Sequence, residues 1–304
     1  MTPDQYTITE KFIPVSDGFS LYTQEWGNKH AKTTIISLHG GPGSSSKDKN
    51  KILFDPKQHH VIFFDQRGGG QSSPVGDLTN ITTDKMIDDI TSVADAYKVD
   101  NFILTGGSWG SCLALLYGIQ HPTRVTSMIL NGIFTATQNE IEWIDNGQFK
   151  TFFPDVWDQY LAMTPKLHHH NPSAYHMQNA FNKDRDEAKK SAYAYSCMEG
   201  GAVALNDRFT PEDFSTFDPT GTLVEMHYLK NKCFIPEGYI RQNAHKLTMP
   251  IWFIQGRYDN VCPPVTAYEL NKALPNSKLI WTIAGHAPEH ETITVIKTLL
   301  SQYN

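Results

Sequence analysis

Gly106-Gly107-Ser108-Trp109-Gly110 joins a short, apolar and partly β-branched run (residues 101–105) to a helix-forming stretch (residues 111–120) that stops at His121-Pro122. A Gly-x-Ser-x-Gly pentapeptide between a strand and a helix predicts a tight turn. Its serine is held in strained backbone, with the hydroxyl exposed at the top of a sheet. Glycine is expected two places before and two places after Ser108, because a side chain there would collide with neighbouring backbone. An incidental serine in a Gly-rich turn is the plainer reading, and the strand–turn–helix context favours the nucleophile.

Upstream, residues 7–15 and 19–26 alternate apolar and polar side chains around Ser16-Asp17-Gly18, which predicts a hairpin with positive φ at the glycine. Residues 33–38, running into His39-Gly40-Gly41-Pro42-Gly43, and residues 60–64, ending at Asp65, read as buried strands. Met86, Ile87, Ile90, Val93, Ala94 and Tyr97 recur at helical spacing, with Thr82 or Thr83 available as the cap. Strands alternating with helices predict an α/β architecture, a mostly parallel central sheet with helices on both faces.

After Asn131-Gly132-Ile133-Phe134 the character changes. Residues 135–245 show helical periodicity and many aromatics, and strand-like runs return only at 251–254 and 278–283, before a closing helix over 292–301. The expected organisation is therefore a core split into 1–134 and 246–304, interrupted by a helical cap insertion over 135–245.

A nucleophilic serine needs a base to take its proton, and the base needs an orienting acid. In such sheets the reactive groups sit at the carboxyl ends of strands. The run 251–255 leads into Gly256-Arg257-Tyr258-Asp259, and 278–283 leads into Ala284-Gly285-His286. The chain order Ser108, Asp259, His286 is that of an α/β-hydrolase fold. His290 competes as the base but reads as a helix-start or surface histidine, and Asp259 also fits the cap of the following turn. Backbone N–H groups must meet the developing oxyanion. Trp109, directly after the serine, and Gly41, in the glycine-rich loop, are the candidates, although those glycines also suit a plain tight turn.

The 304 residues carry a mild net charge of −6, with 39% hydrophobic and 19% charged side chains and no basic stripe, which argues against a nucleic-acid partner. The polar first ten residues lack a signal-peptide pattern, and no run is long enough for a membrane span. Cys112, Cys197, Cys233 and Cys262 are scattered, without a Cys-x-x-Cys pair, and read as reduced, mostly buried thiols of a cytoplasmic protein. His168-His169-His170 lies in a polar loop and reads as a surface tract; no metal-binding spacing is present.

Taken together, His39-Gly40-Gly41-Pro42-Gly43, Asp65-Gln66-Arg67-Gly68, Gly106-Gly107-Ser108-Trp109-Gly110-Ser111, Gly256-Arg257-Tyr258-Asp259 and Ala284-Gly285-His286 resemble the proline iminopeptidase (prolyl aminopeptidase) family. This is a serine-peptidase branch of the α/β-hydrolases. The resemblance runs from about Tyr6 to the C-terminus. It implies removal of an N-terminal residue, preferably proline, from small peptides with a free N-terminus, beneath a helical cap and without metal or other cofactor. It also makes Glu199, in Tyr195-Ser196-Cys197-Met198-Glu199-Gly200, and Glu225, in Glu225-Met226-His227-Tyr228, the candidate anchors of the substrate ammonium. From the residues alone, each glutamate also suits a solvated helix position. A desolvated carboxylate would distinguish a free N-terminus from an interior amide, a charge-assisted hydrogen bond contributing about 1.5–3 kcal/mol.

Phe134, Trp143, Phe152 and Tyr228 could wall a pocket for a pyrrolidine ring or form the core of the cap. The chain departs from the family at Gly69 and Gln71, where cysteine and arginine are common, and at Asn131, where arginine is usual. These departures bear on substrate range rather than on the triad. The competing expectation is a capped esterase or lactone hydrolase acting on a small acyl substrate with the same triad.

Overall fold

The computed structural model describes residues 5–205 and 211–303; residues 1–4, 206–210 and 304, which the expected segments include, lie outside the described residues. The strands are β1 (Thr7–Pro14), β2 (Ser20–Gly27), β3 (Thr34–Leu38), β4 (His60–Phe64), β5 (Phe102–Ser108), β6 (Val125–Ile133), β7 (Ile251–Gly256) and β8 (Ser277–Thr282). They form one sheet in the order β1-β2-β4-β3-β5-β6-β7-β8. β2 pairs antiparallel with both neighbours, and the pairs from β4 to β8 are parallel. The expected hairpin is present, with Asp17 and Gly18 at φ 60° and 79° in its turn.

Alternate residues of the central strands enter different cores. Ile36, Ile62, Leu104 and Leu130 join the larger cluster, whereas Ile35, Val61, Ile103 and Ile129 pack on the opposite face with Ile296, Leu299 and Leu300. Both faces are therefore covered, which is why these strands read as nearly continuous apolar runs. Helices α1 (Thr83–Ala96) and α2 (Trp109–Gln120) contribute to the larger cluster. The apolar stripe expected for α1 is buried at Met86, Ile87, Ile90, Val93 and Ala94. The expected cap is present in position but not in bonding. Thr82 occupies the N-cap without a side-chain capping bond, and the Thr83 hydroxyl donates instead to the Cys233 carbonyl. The Thr83 hydroxyl is thus engaged across the fold rather than at the helix start.

Between β6 and β7 the described chain is helical: α3 (Gln138–Asp145), α4 (Pro154–Ala162), α5 (Pro172–Asn179), α6 (Arg185–Ala202), α7 (Thr220–Lys230) and the short α8 (Tyr239–Gln242). A separate cluster that includes Phe149, Tyr160, Tyr195 and Met198 packs this region. The chain then returns to the sheet, where Met128–Asn131 of β6 pair with Ile251–Ile254 of β7. Two last helices, α9 (Pro264–Ala273) and α10 (His290–Leu300), complete the fold.

Candidate active site

The sharp turn from β5 to α2 sets the position of Ser108. Its backbone adopts φ 56°, ψ −126°, a region that non-glycine residues occupy only under constraint. The flanking glycines have no room for a side chain. A Cβ at residue 106 would stand 2.5 Å from the Gly110 carbonyl oxygen, and one at residue 110 would stand 2.3 Å from that of Leu38. Ser111 braces the turn, its hydroxyl donating to the Ser108 carbonyl at 2.7 Å and accepting from Phe134 N–H at 3.1 Å. Trp109 opens α2, so its N–H belongs to the first turn that lacks intrahelical acceptors. The 39–43 loop presses against this turn: a Cβ on Gly40 would lie 3.2 Å from that of Ser108. Gly41, at φ +56°, lines the same cavity as Ser108 and Trp109.

Asp259 and His286 meet beyond the ends of β7 and β8. His286 Nδ1–H donates to Asp259 Oδ2 at 2.9 Å and lies 3.1 Å from Oδ1. The carboxylate also accepts from Val261 N–H, Cys262 N–H and the Gln255 side-chain amide at 2.8–3.0 Å. His286 lies against Gly132 of β6, whose strand pairs with Ser108 through Ile133. Among the described residues no hydrogen bond joins Ser108 to His286; the Ser108 hydroxyl interacts with the Cys262 thiol. His290 is the exposed first residue of α10.

Glu199 from α6 and Glu225 from α7 face Ser108 across a cavity of about 50 Å³ that Phe134, Ile144, Tyr195 and Leu229 also line. Their side chains hydrogen-bond to each other.

Residues 33–288 match the model of the α/β hydrolase fold family. A proline iminopeptidase of Xylella fastidiosa is 36% identical over 294 residues, covering 94% of this chain and 92% of its own length. One from Arabidopsis thaliana is 32% identical, covering 93% and 76% respectively. The chain belongs to the proline iminopeptidase family. Among solved structures, a putative aryl esterase from Burkholderia cenocepacia superposes with a TM-score of 0.68 over 97% of each chain at 16% identity, a likeness of fold alone.

The site of this proline iminopeptidase family member has a distinctive charge balance. Burial pushes the Glu225 carboxyl well above the usual carboxylate range, and the neighbouring Glu199 charge pushes it further. Glu199 is also raised by burial, with His286 and the bond to Glu225 opposing. The pair therefore favours holding one proton between its two carboxyls. Burial alone would depress His286, but the charge and hydrogen bond of Asp259, reinforced by Glu199, leave it above the ordinary histidine value. A third carboxyl, Asp145 at the end of α3, is pushed up to about 7 by burial. The Tyr195 hydroxyl, 3.5 Å away, opposes that rise, and Glu199 and Glu142 add to it.

Of the four aromatics considered as pocket walls, only Phe134 lines the cavity. Phe152 is exposed, Trp143 donates its indole N–H to the Asn260 carbonyl, and Tyr228 is buried against Trp109 with ring centroids 5.0 Å apart. Trp143 packs against the cluster of the helical segment and Tyr228 joins the larger core cluster, whereas Phe152 joins neither. Gln255 was not singled out from sequence: its amide oxygen accepts from Ile133 N–H while its nitrogen serves both Asp259 and the Cys262 carbonyl. A single glutamine ending a strand carries no signature that would have revealed this. Asn131 packs its amide where a Cβ on Gly107 would stand, at 2.8 Å. At Gly69 a Cβ would lie 2.5 Å from the Ser44 carbonyl oxygen, so the backbone here occupies the space a larger residue requires.

Proposed function

We propose that this chain is a serine aminopeptidase that releases an N-terminal residue, preferentially proline, from small peptides through an acyl-enzyme. The observation that carries this reading is the pair Glu199 and Glu225 facing Ser108 across one small cavity. One water needs about 10–15 Å³, so a cavity of about 50 Å³ suits a compact first residue. A pair that keeps one proton presents a single negative charge, matched to a single ammonium. The segment 135–245 serves as the cap over the core formed by 1–134 and 246–304, and supplies both anchors.

In this mechanism the Ser108 hydroxyl turns from Cys262 toward His286. It attacks the first carbonyl as His286 Nε2 takes its proton, and Asp259 steadies the imidazolium. The N–H groups of Trp109 and Gly41 receive the oxyanion. His286 then protonates the departing amine, and water hydrolyses the ester on Ser108. Four free, buried thiols support a reducing, cytoplasmic setting.

The test is a panel of aminoacyl reporter amides differing in the first residue, each paired with its N-acetylated form. Proline should lead, and acetylation should remove cleavage. Strong cleavage of blocked substrates would remove the exopeptidase reading, and cleavage of short neutral esters alone would establish an esterase. Ser108→Ala should abolish turnover of every substrate.

A further inference from the structure

We infer that Gln66 is a positioning residue: with His39 it locks the oxyanion loop to the nucleophile turn. The inference rests on the reading of Ser108 as nucleophile. Three bonds make the lock. Gln66 N–H donates to His39 Nε2 at 3.0 Å, the Gln66 side-chain amide donates to the His39 carbonyl at 2.9 Å, and the Trp109 indole N–H donates to the Gln66 amide oxygen at 2.9 Å. His39, Gln66 and Trp109 are 5%, 1% and 1% exposed, so water does not replace these bonds when they are lost.

The chemistry of the partners leaves one arrangement. An indole nitrogen only donates, which fixes the Gln66 oxygen toward Trp109 and its nitrogen toward His39. Nε2 of His39 must accept, so Nδ1 carries the hydrogen and meets the Gly40 carbonyl at 2.9 Å. The bond to the His39 carbonyl orients the peptide that leads into Gly40 and Gly41. The indole bond anchors the side chain of the residue that supplies the other oxyanion N–H. Both oxyanion donors thus depend on one buried amide, where displacements of about 0.5 Å decide whether a site functions.

The test combines Gln66→Met, Trp109→Phe and the double variant. Each is assayed on a prolyl reporter amide and a short neutral ester, and for binding of pyrrolidine-2-boronic acid, whose adduct on Ser108 is tetrahedral, and of pyrrolidine, which places no oxyanion. We expect kcat to fall by about 10- to 100-fold on both substrates and boronate affinity to fall in parallel, while pyrrolidine binding holds. The two single losses should be markedly less than additive in the double variant. Unchanged kcat, additive losses, or equal loss of boronate and pyrrolidine binding would overturn the lock. If Gln66→Met does not fold, Trp109→Phe alone decides by kcat and by the loss of boronate binding against retained pyrrolidine binding. Fluorophosphonate labelling separates the two levels. An unlabelled wild-type Ser108 defeats the reading of the site, whereas wild-type labelling rates in the variants defeat only the lock.

Discussion

Glu199 serves two groups at once: it shares a hydrogen bond with Glu225 and its charge helps to hold His286 above the ordinary histidine value. These roles separate in Glu199→Gln. On prolyl amides the loss of the charge-assisted bond should lower kcat/KM by about 10- to 150-fold. On a neutral ester, which has no ammonium to anchor, the effect should appear in the pH profile. Removing a negative charge destabilises the imidazolium and lowers the His286 pKa. Its neutral, base-competent form then persists to more acidic pH, and the acid limb of kcat/KM moves downward. The limb reports the free enzyme, so an unmoved limb would separate Glu199 from His286.

At the scale of elements, α6 and the loop after β8 are tied together. The Val203 carbonyl, which follows α6, accepts from both His286 N–H at 2.8 Å and Ala287 N–H at 3.0 Å, and Glu289 accepts from Leu205 N–H at 3.1 Å. Gly285 lies beneath this junction, where a Cβ would stand 2.9 Å from the Val203 carbonyl oxygen. Gly285→Ala should therefore lower kcat on amides and esters alike, by up to about 100-fold if the imidazole shifts by an ångström. A variant with wild-type kcat in steady-state assays would show that the junction does not locate the base. None of this was legible in the sequence, because a carbonyl acceptor has no residue signature. What was legible lay at strand ends. Ser108, Asp259 and His286 each follow an apolar run, and the elbow glycines announce their own steric need. The aromatics left two readings open, because ring-rich composition does not distinguish a pocket wall from a core.

For the whole molecule, Arg67 links the loop after β4 to α1 and to the β1–β2 turn. Its guanidinium donates to both oxygens of Asp89, at 2.7 and 2.6 Å, and to the Asn80 carbonyl at 3.0 Å, and lies 3.7 Å from Asp17. Arg67 is fully buried. Asp89→Ala leaves that charge without its main partner and should cost about 3–5 kcal/mol in urea unfolding, a large part of the roughly 5–15 kcal/mol that stabilises a typical domain. Asp89→Asn, which keeps an acceptor, should cost less; equal costs would mean that packing rather than charge holds the loop. The tie between Val203 and His286 has a last consequence. If the helical segment acts as the proposed cap, a swing wide enough to admit a peptide would tug the segment bearing the imidazole. In that reading, water reaching an opened site would meet a displaced imidazole, and hydrolysis would await the closed arrangement.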